Sequence, residues 1–179
     1  MGLDPEKARI FVQSMVPQIA ELTVFFSDIQ GFTDLTDRLE AEPLSELLNS
    51  YLSEMAQIAD EHGGTIDKFM GDSIMALFGI PEARQDDLAC AIACAVEMQQ
   101  TMLEVNAQNM QLGDPSLYMG IAINTGPVVA GKLGSDLYSE YTVIGDAVNT
   151  ACRIEAFSLR GQILLSEHCL ERARDYIEH

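Results

Sequence analysis

The sequence predicts an α+β domain in which a mostly antiparallel sheet carries helices packed on one face. Three observations predict it. Thr65–Met70 and Ser73–Phe78 are rich in β-branched, aromatic and aliphatic residues, and Gly71-Asp72 between them supplies a tight turn, which together read as a hairpin. Two long stretches, one on each side of that hairpin, keep the 3.6-residue apolar period of amphipathic helices. Between and after them come short apolar runs of strand length.

Asp4 to Ala20 reads as a short helical stretch interrupted by Pro17, so residues 1–20 are expected to form a connecting segment and residues 21–179 the domain proper. Leu22–Phe26 is apolar on both parities and reads as a central strand, with Asp28 just past its end. Ile29, Gln30, Gly31, Phe32 and Thr33 follow, and Thr33 or Asp34 opens a helix. A strand, a glycine turn and a helix start in succession aim several backbone N–H groups at one point, which suits a phosphate chain. Pro43 to His62 is a helix, with Pro43 in its first turn, Leu44, Leu48, Tyr51, Met55 and Ile58 on one stripe, and Gly63-Gly64 ending it.

After the hairpin, Asp86 or Asp87 starts a second long helix to about Ala107. Leu117, Met119, Ile121 and Ile123 alternate with less apolar residues and predict a strand; Thr125-Gly126-Pro127 is expected to turn the chain and Val128–Leu133 to run back. Tyr138 to Ile144 reads as irregular chain ending in a short strand. Asp146 to about Phe157 reads as a helix, Gln162–Leu165 as a strand, and Ser166 as the cap of a last helix toward Ile177. The second hairpin strand, Ile74 to Phe78, is apolar at successive positions, so both its faces need cover while the helices are expected on only one.

Composition narrows the function. With 47 % hydrophobic and 21 % charged residues over 179 positions, the chain is one folded domain with a sizeable core. A formal net charge of −18 excludes a nucleic-acid binder, which needs a basic face; an anionic substrate would arrive with a divalent cation. The four cysteines form no CxxC pair, so reduced thiols and a cytoplasmic location are expected. The longest apolar run, Leu88–Val96, is too short to span a bilayer, so no membrane contact is expected from this chain itself, although attached regulatory or membrane domains are compatible with it.

Two groups of residues could carry chemistry. Asp28 and Asp72 stand at the ends of neighbouring strands; they read either as ordinary turn residues or as a carboxylate pair holding two divalent ions, and position alone leaves both open. Asn149 and Arg153 are four apart on one helix face, with Thr142 just before that helix. They read either as surface residues or as an amide and a guanidinium aimed at a phosphoryl-transfer transition state. Lys68, in the hairpin, is costly beside apolar neighbours unless it has a partner.

Four segments in order, FSDIQGFTDLT from Phe26, DKFMGDSIMALFG from Asp67, GIAINTGPVVAGKLGS from Gly120 and YTVIGDAVNTACRIE from Tyr141, resemble the catalytic domain of class III nucleotidyl cyclases. The resemblance covers roughly Leu22 to Glu171. It implies a ferredoxin-like βαββαβ core and conversion of ATP to 3′,5′-cyclic AMP and pyrophosphate, with two Mg²⁺ or Mn²⁺ ions per site. By the same resemblance, Asp28, Asp72 and the main chain of Ile29 hold metal, and Ile29 to Thr33 (with Gln30, Gly31 and Phe32) cradle phosphates. Asn149 orients the ribose and Arg153 stabilises the transition state. Lys68 and Thr142 select the base: adenine N1 accepts and its 6-amino group donates, so one donor and one acceptor are needed, whereas guanine reverses both. Threonine at position 142 is similar to a bacterial subgroup. The resemblance further implies a head-to-tail homodimer whose two sites each draw on both chains. The alternatives are a catalytically silent cyclase-homology module and, further off, a guanylyl cyclase. The family's C-terminal hairpin, with its phosphate lysine, finds no match before His179.

Overall fold

The computed structural model describes residues 17–134 and 139–177. Its elements run β1 (Gln18–Ile29), α1 (Phe32–Thr36), α2 (Ala41–Glu61), β2 (Thr65–Met70), β3 (Ser73–Phe78), α3 (Asp87–Leu112), β4 (Met119–Gly134), β5 (Ser139–Ile144), α4 (Asp146–Glu155), β6 (Ile163–Leu165) and α5 (Glu167–Ile177). The sheet order is β2-β3-β1-β4-β5, antiparallel throughout, and β6 joins β4 in parallel. Read through β1, α2, β2, β3, α3 and β4, this is the expected ferredoxin-like βαββαβ core with a mostly antiparallel sheet.

The hairpin has the expected bounds, with Met70 opposite Ser73 across a two-residue turn. Gly71 opens that turn at φ +68°, a conformation most side chains avoid. Three local expectations change. Gln18–Ala20, placed in a helical segment, extend β1 and pair with Ala130, Val129 and Val128; the rest of that segment, 1–16, lies outside the described residues. Asp28, placed just past the first strand, lies within β1 opposite Gly120.

The turn expected at Thr125-Gly126-Pro127 does not form, and β4 continues through it opposite Leu22–Thr23 and Glu21. Proline survives there because of which way its missing amide would point. The Ile121 N–H donates to the Gln162 carbonyl and the Thr125 N–H to Cys169 Sγ, both away from β1, so residue 127, of the same parity, faces that side too. There β4 is unpaired between the β6 contact ending at Ile123 and the β5 contact beginning at Val129, so no ladder bond is lost.

The sheet is covered on both faces rather than one. On the first, Phe25, Ile74 and Phe78 pack under Tyr51 and Met55 of α2, Cys94 and Met98 of α3, and Cys169 of α5. Phe25 and Phe78 meet as a tilted aromatic pair with centroids 6.2 Å apart. On the second, Leu22, Val24, Met75, Leu77 and Val128 pack under Ala147 and Ala151 of α4. The apolar second face of β3 is therefore satisfied within the chain. α3 has the length and apolar content of a membrane span, but Leu88, Ala91, Ala95 and Met102 bury one side of it in the first core. The described cysteines are free thiols.

Candidate active site

The hairpin holds two separate polar clusters, one at its turn and one near the middle of β2. At the turn, β3 lies beside β1, which brings Asp28 near the hairpin end. Ser73 Oγ donates to Asp28 Oδ1 at 2.5 Å. Burial pushes the Asp72 carboxyl up to about 6; the charge of Asp28 and a hydrogen bond with it add to the rise, against the pull of the Asp72 and Ile29 N–H groups. Glu155, from the end of α4, is also raised, first by burial and then by Asp28, with the Ser158 hydroxyl opposing. Three carboxylates thus share one neighbourhood, and no lysine or arginine figures among the groups that act on Asp72.

Such a pair fits a divalent cation, whose charge would offset both the burial cost and the repulsion from Asp28 that raise Asp72. Among the described residues no group of three His, Cys, Asp or Glu side chains is arranged to hold an ion by itself. A cation here would draw on two carboxylates together with main-chain and ligand oxygens, as hard divalent ions do.

The loop after β1 is only partly the expected cradle. The Gln30 N–H is taken by the Tyr118 carbonyl at 2.7 Å, and the Gln30 side chain reaches Ser158 Oγ at 3.5 Å. Gly31, at φ +78°, then turns the chain into α1. No internal acceptor is found among the described residues for the N–H groups of Gly31, Phe32 and Thr33.

The second cluster joins the two opposite edges of the sheet. β2 and β5 are separated by three strands in the sheet order, yet Lys68 Nζ lies 3.0 Å from Glu140 Oε1, and Thr142 Oγ1 donates to Asp67 Oδ2 at 2.8 Å. The sheet must therefore curl until its edges meet. A register shift between Ile66 and Lys68 marks a bulge at Asp67, which lets consecutive residues of β2 both reach β5. Lys68 also stands 3.5 Å from Asp67. The two partners shift in the same sense for different reasons. Burial raises Asp67, whose side chain is 2 % exposed, and outweighs Thr142 and Lys68; burial opposes the Lys68 charge, but Glu140 and Asp67 outweigh it and hold the ammonium above its usual value.

Asn149 and Arg153 lie on the exposed side of α4. The Arg153 guanidinium is 69 % exposed in its side chain and, among the described residues, bonds to Asp146 and Thr150 of its own helix, at 3.5 and 3.3 Å. Neither Asp28 nor Asp72 is among its contacts. The structure therefore brings together Asp28 with Asp72, and Lys68 with Thr142, but leaves Arg153 apart from both.

The family profile described as the adenylate and guanylate cyclase catalytic domain matches residues 15–177. The chain belongs to that family. An adenylate cyclase of Anabaena cylindrica is 40 % identical over 141 residues, 76 % of this chain and 27 % of its own length; an adenylate cyclase of Mycobacterium bovis is 35 % identical over 156 residues, 87 % of this chain and 34 % of its own. This cyclase-family domain thus spans about a third or less of those relatives. Its structure is similar to that of the adenylyl cyclase CyaB from P. aeruginosa, at TM-score 0.87 and 42 % identity over 90 % of this chain and 84 % of that one. It is equally similar to a crystallised guanylyl cyclase, at TM-score 0.84 and 46 % identity over 89 % and 81 %. Overall likeness therefore does not choose the base, and the local chemistry of the cyclase pocket has to.

Sequence reading of this cyclase domain passed over Ser73, Asp67, Glu140, Glu155 and Ser158. Asp67 and Ser73 were legible in principle, as polar residues directly beside Lys68 and Asp72 in an apolar hairpin. Glu140 and Glu155 were not, because only the curl of the sheet and the end of α4 bring them near.

Proposed function

We propose that this domain is an adenylyl cyclase, converting ATP to 3′,5′-cyclic AMP and pyrophosphate. In that reaction the ribose 3′-hydroxyl gives up its proton to solvent water, its oxygen bonds to the α-phosphorus, and the bond from that phosphorus to the pyrophosphate oxygen breaks, the electron pair leaving with pyrophosphate. The observation that carries the reading is that Lys68 of β2 and Thr142 of β5 come to the same carboxylate, Asp67, across the curled sheet. A lysine only donates and a hydroxyl oxygen can accept, which complements the N1 and 6-amino group of adenine, and the lysine opposes the N1–H of guanine.

Asp28 and Asp72 are the residues that would hold divalent cations, and the main-chain oxygen of Ile29 would complete their ligation. Bound there, two Mg²⁺ or Mn²⁺ ions supply Lewis-acid activation of the 3′-oxygen and charge neutralisation at the phosphates. The free N–H groups of Gly31, Phe32 and Thr33 would bind phosphate oxygens. Asn149 would orient the ribose, and Arg153 would face the charge that builds on the α-phosphate and leaving group.

Arg153 contacts Asp146 and Thr150 of its own helix and neither Asp28 nor Asp72, which is compatible with a head-to-tail homodimer with each site drawing metal residues from one chain and base, ribose and transition-state residues from the other. We place the catalytic domain in the cytoplasm, where ATP is available. The experiment that tests the reading is to supply the protein with ATP or GTP and Mg²⁺ or Mn²⁺ and identify the product by chromatography. Cyclic AMP from ATP in clear excess over cyclic GMP from GTP is expected, and absence of cyclic AMP, or cyclic GMP in excess, would overturn it.

A further inference from the structure

We propose that Asp67 is a specificity-determining positioning residue: by accepting the Thr142 proton it fixes that hydroxyl as an acceptor toward the nucleotide base. The inference rests on the adenylyl cyclase reading and deepens it.

A threonine hydroxyl by itself discriminates poorly between adenine and a 6-oxo purine. It has one proton and two lone pairs, and it rotates to accept from an amino group or donate to a carbonyl. The lysine alone would then carry selection. The geometry removes that freedom. Thr142 Oγ1 donates to Asp67 Oδ2 at 2.8 Å, Thr142 is 6 % exposed, and the Asp67 side chain is 2 % exposed. A buried carboxylate accepts only, so the proton stays on that bond and the remaining lone pair of Thr142 is what the base meets. A 6-amino group finds an acceptor; a 6-oxo group finds lone pair against lone pair, with a buried polar group left unpaired.

The backbone is shaped to allow this. In a regular strand Asp67 and Lys68 would point to opposite faces, and only one could reach β5. The bulge between Ile66 and Lys68 puts both on the same side, Asp67 against Thr142 and Lys68 against Glu140. Glu140 and Asp67 take two of the three Lys68 donors, at 3.0 and 3.5 Å, and leave one for the base. A simple staple between β2 and β5 would also use the Asp67–Thr142 bond, but it would have no bearing on which purine is used.

Selectivity is therefore the readout. The ratio of kcat/KM for ATP to that for inosine triphosphate isolates the edge in question, since inosine carries a 6-oxo group and an N1–H but no 2-amino group. In Asp67→Ala the hydroxyl can turn and donate, and the ratio is expected to fall about tenfold, the worth of one hydrogen bond gained or lost. In a Thr142→Val background the same Asp67→Ala change is expected to leave the ratio unaltered, because there is no hydroxyl to orient. Asp67→Asn, which keeps the shape, is expected to move the ratio in the same direction by less, and serves if the alanine variant does not fold by thermal melting. Cyclic AMP production with an unshifted ratio in Asp67→Ala or Asp67→Asn, or an equal shift in the Thr142→Val background, overturns the inference alone. No cyclic AMP from the unmodified protein overturns the adenylyl cyclase reading, and this inference with it.

Discussion

The turn of the β2–β3 hairpin and the bulge in β2 treat charge in opposite ways. At the turn, Asp72 sits against Asp28 with Glu155 nearby, and burial first, then the like charge of Asp28, pushes the Asp72 carboxyl up to about 6. At the bulge, the Lys68 ammonium stands between the carboxylates of Asp67 and Glu140, and Thr142 gives its hydroxyl proton to Asp67. One end is left for positive charge supplied from outside. The other already contains a cation of its own, Lys68, and offers directed hydrogen bonds, which suits a neutral base. Phosphate chain and base of one nucleotide ask for those two environments, yet the hairpin displays them four residues apart, at Lys68 and Asp72. The dimer proposed above, in which each end would serve a different site, would reconcile the two.

The largest test of this contrast removes the anionic end. Asp28→Ala is expected to lower kcat/KM for ATP by about three orders of magnitude, equivalent to about 4 kcal/mol of transition-state stabilisation. It should also abolish the rise in melting temperature that Mg²⁺ is expected to give the unmodified protein. A variant that kept both turnover and the metal-induced shift would show that the turn does not bind the cation.

Next in size is Arg153→Ala, expected to cost about 10²- to 10³-fold in kcat with little change in KM, as for loss of one group that meets the transition state. Mixing this variant with Asp28→Ala sharpens the comparison between the two halves. In a mixed dimer of shared sites, one site collects both defects and the other neither. Random reassociation at equal concentrations should then restore roughly a quarter of the unmodified activity. Recovery of nothing would mean that both sets of residues act within one chain.

The charge contrast also has a pH signature. Asp72 rises from an ordinary 3.8 to about 6 in the fold, so the metal-free native state binds its proton more tightly than the unfolded chain does. The stabilisation from that protonation is full below about pH 4, is lost as pH climbs to 6, and is absent above. A divalent cation competes for the ionised form, so Mg²⁺ should raise the melting temperature more at pH 8 than at pH 5. Equal shifts at both values would separate Asp72 from the metal.

How much of this was legible in the sequence follows from how local each feature is. The hairpin was read residue by residue because turn glycine and alternating strand residues act over short range. The central place of β1 was legible from apolarity on both parities. The passage of β4 through Thr125-Gly126-Pro127 was not, since turn residues there answer to pairing with β1 and to an open outer side that only the assembled sheet defines. Cover on the second face was missed for a related reason: α4 buries mainly the small residues Ala147 and Ala151, a weak apolar stripe beside α2. At the site, the residue types of Asp28, Asp72, Lys68 and Thr142 were legible from four ordered segments. The partners that set their charge and polarity, Asp67 and Glu140, depend on a bulge and a curled sheet.

The smallest effect expected is at Ser73, whose hydroxyl donates to Asp28 at 2.5 Å and so holds one carboxylate in place without adding charge. Removing it in Ser73→Ala deletes a hydrogen bond to a charged group, worth about 1.5–3 kcal/mol where nothing replaces it. A bound cation would replace much of it, so the expected cost is only about 3- to 10-fold in the Mg²⁺ concentration for half-maximal activity, with kcat at saturating Mg²⁺ unchanged. Titration of activity against Mg²⁺ distinguishes the outcomes. A lower kcat at saturating metal would mean that Ser73 acts in the chemical step rather than in holding Asp28, and the turn would then be more than a place for positive charge.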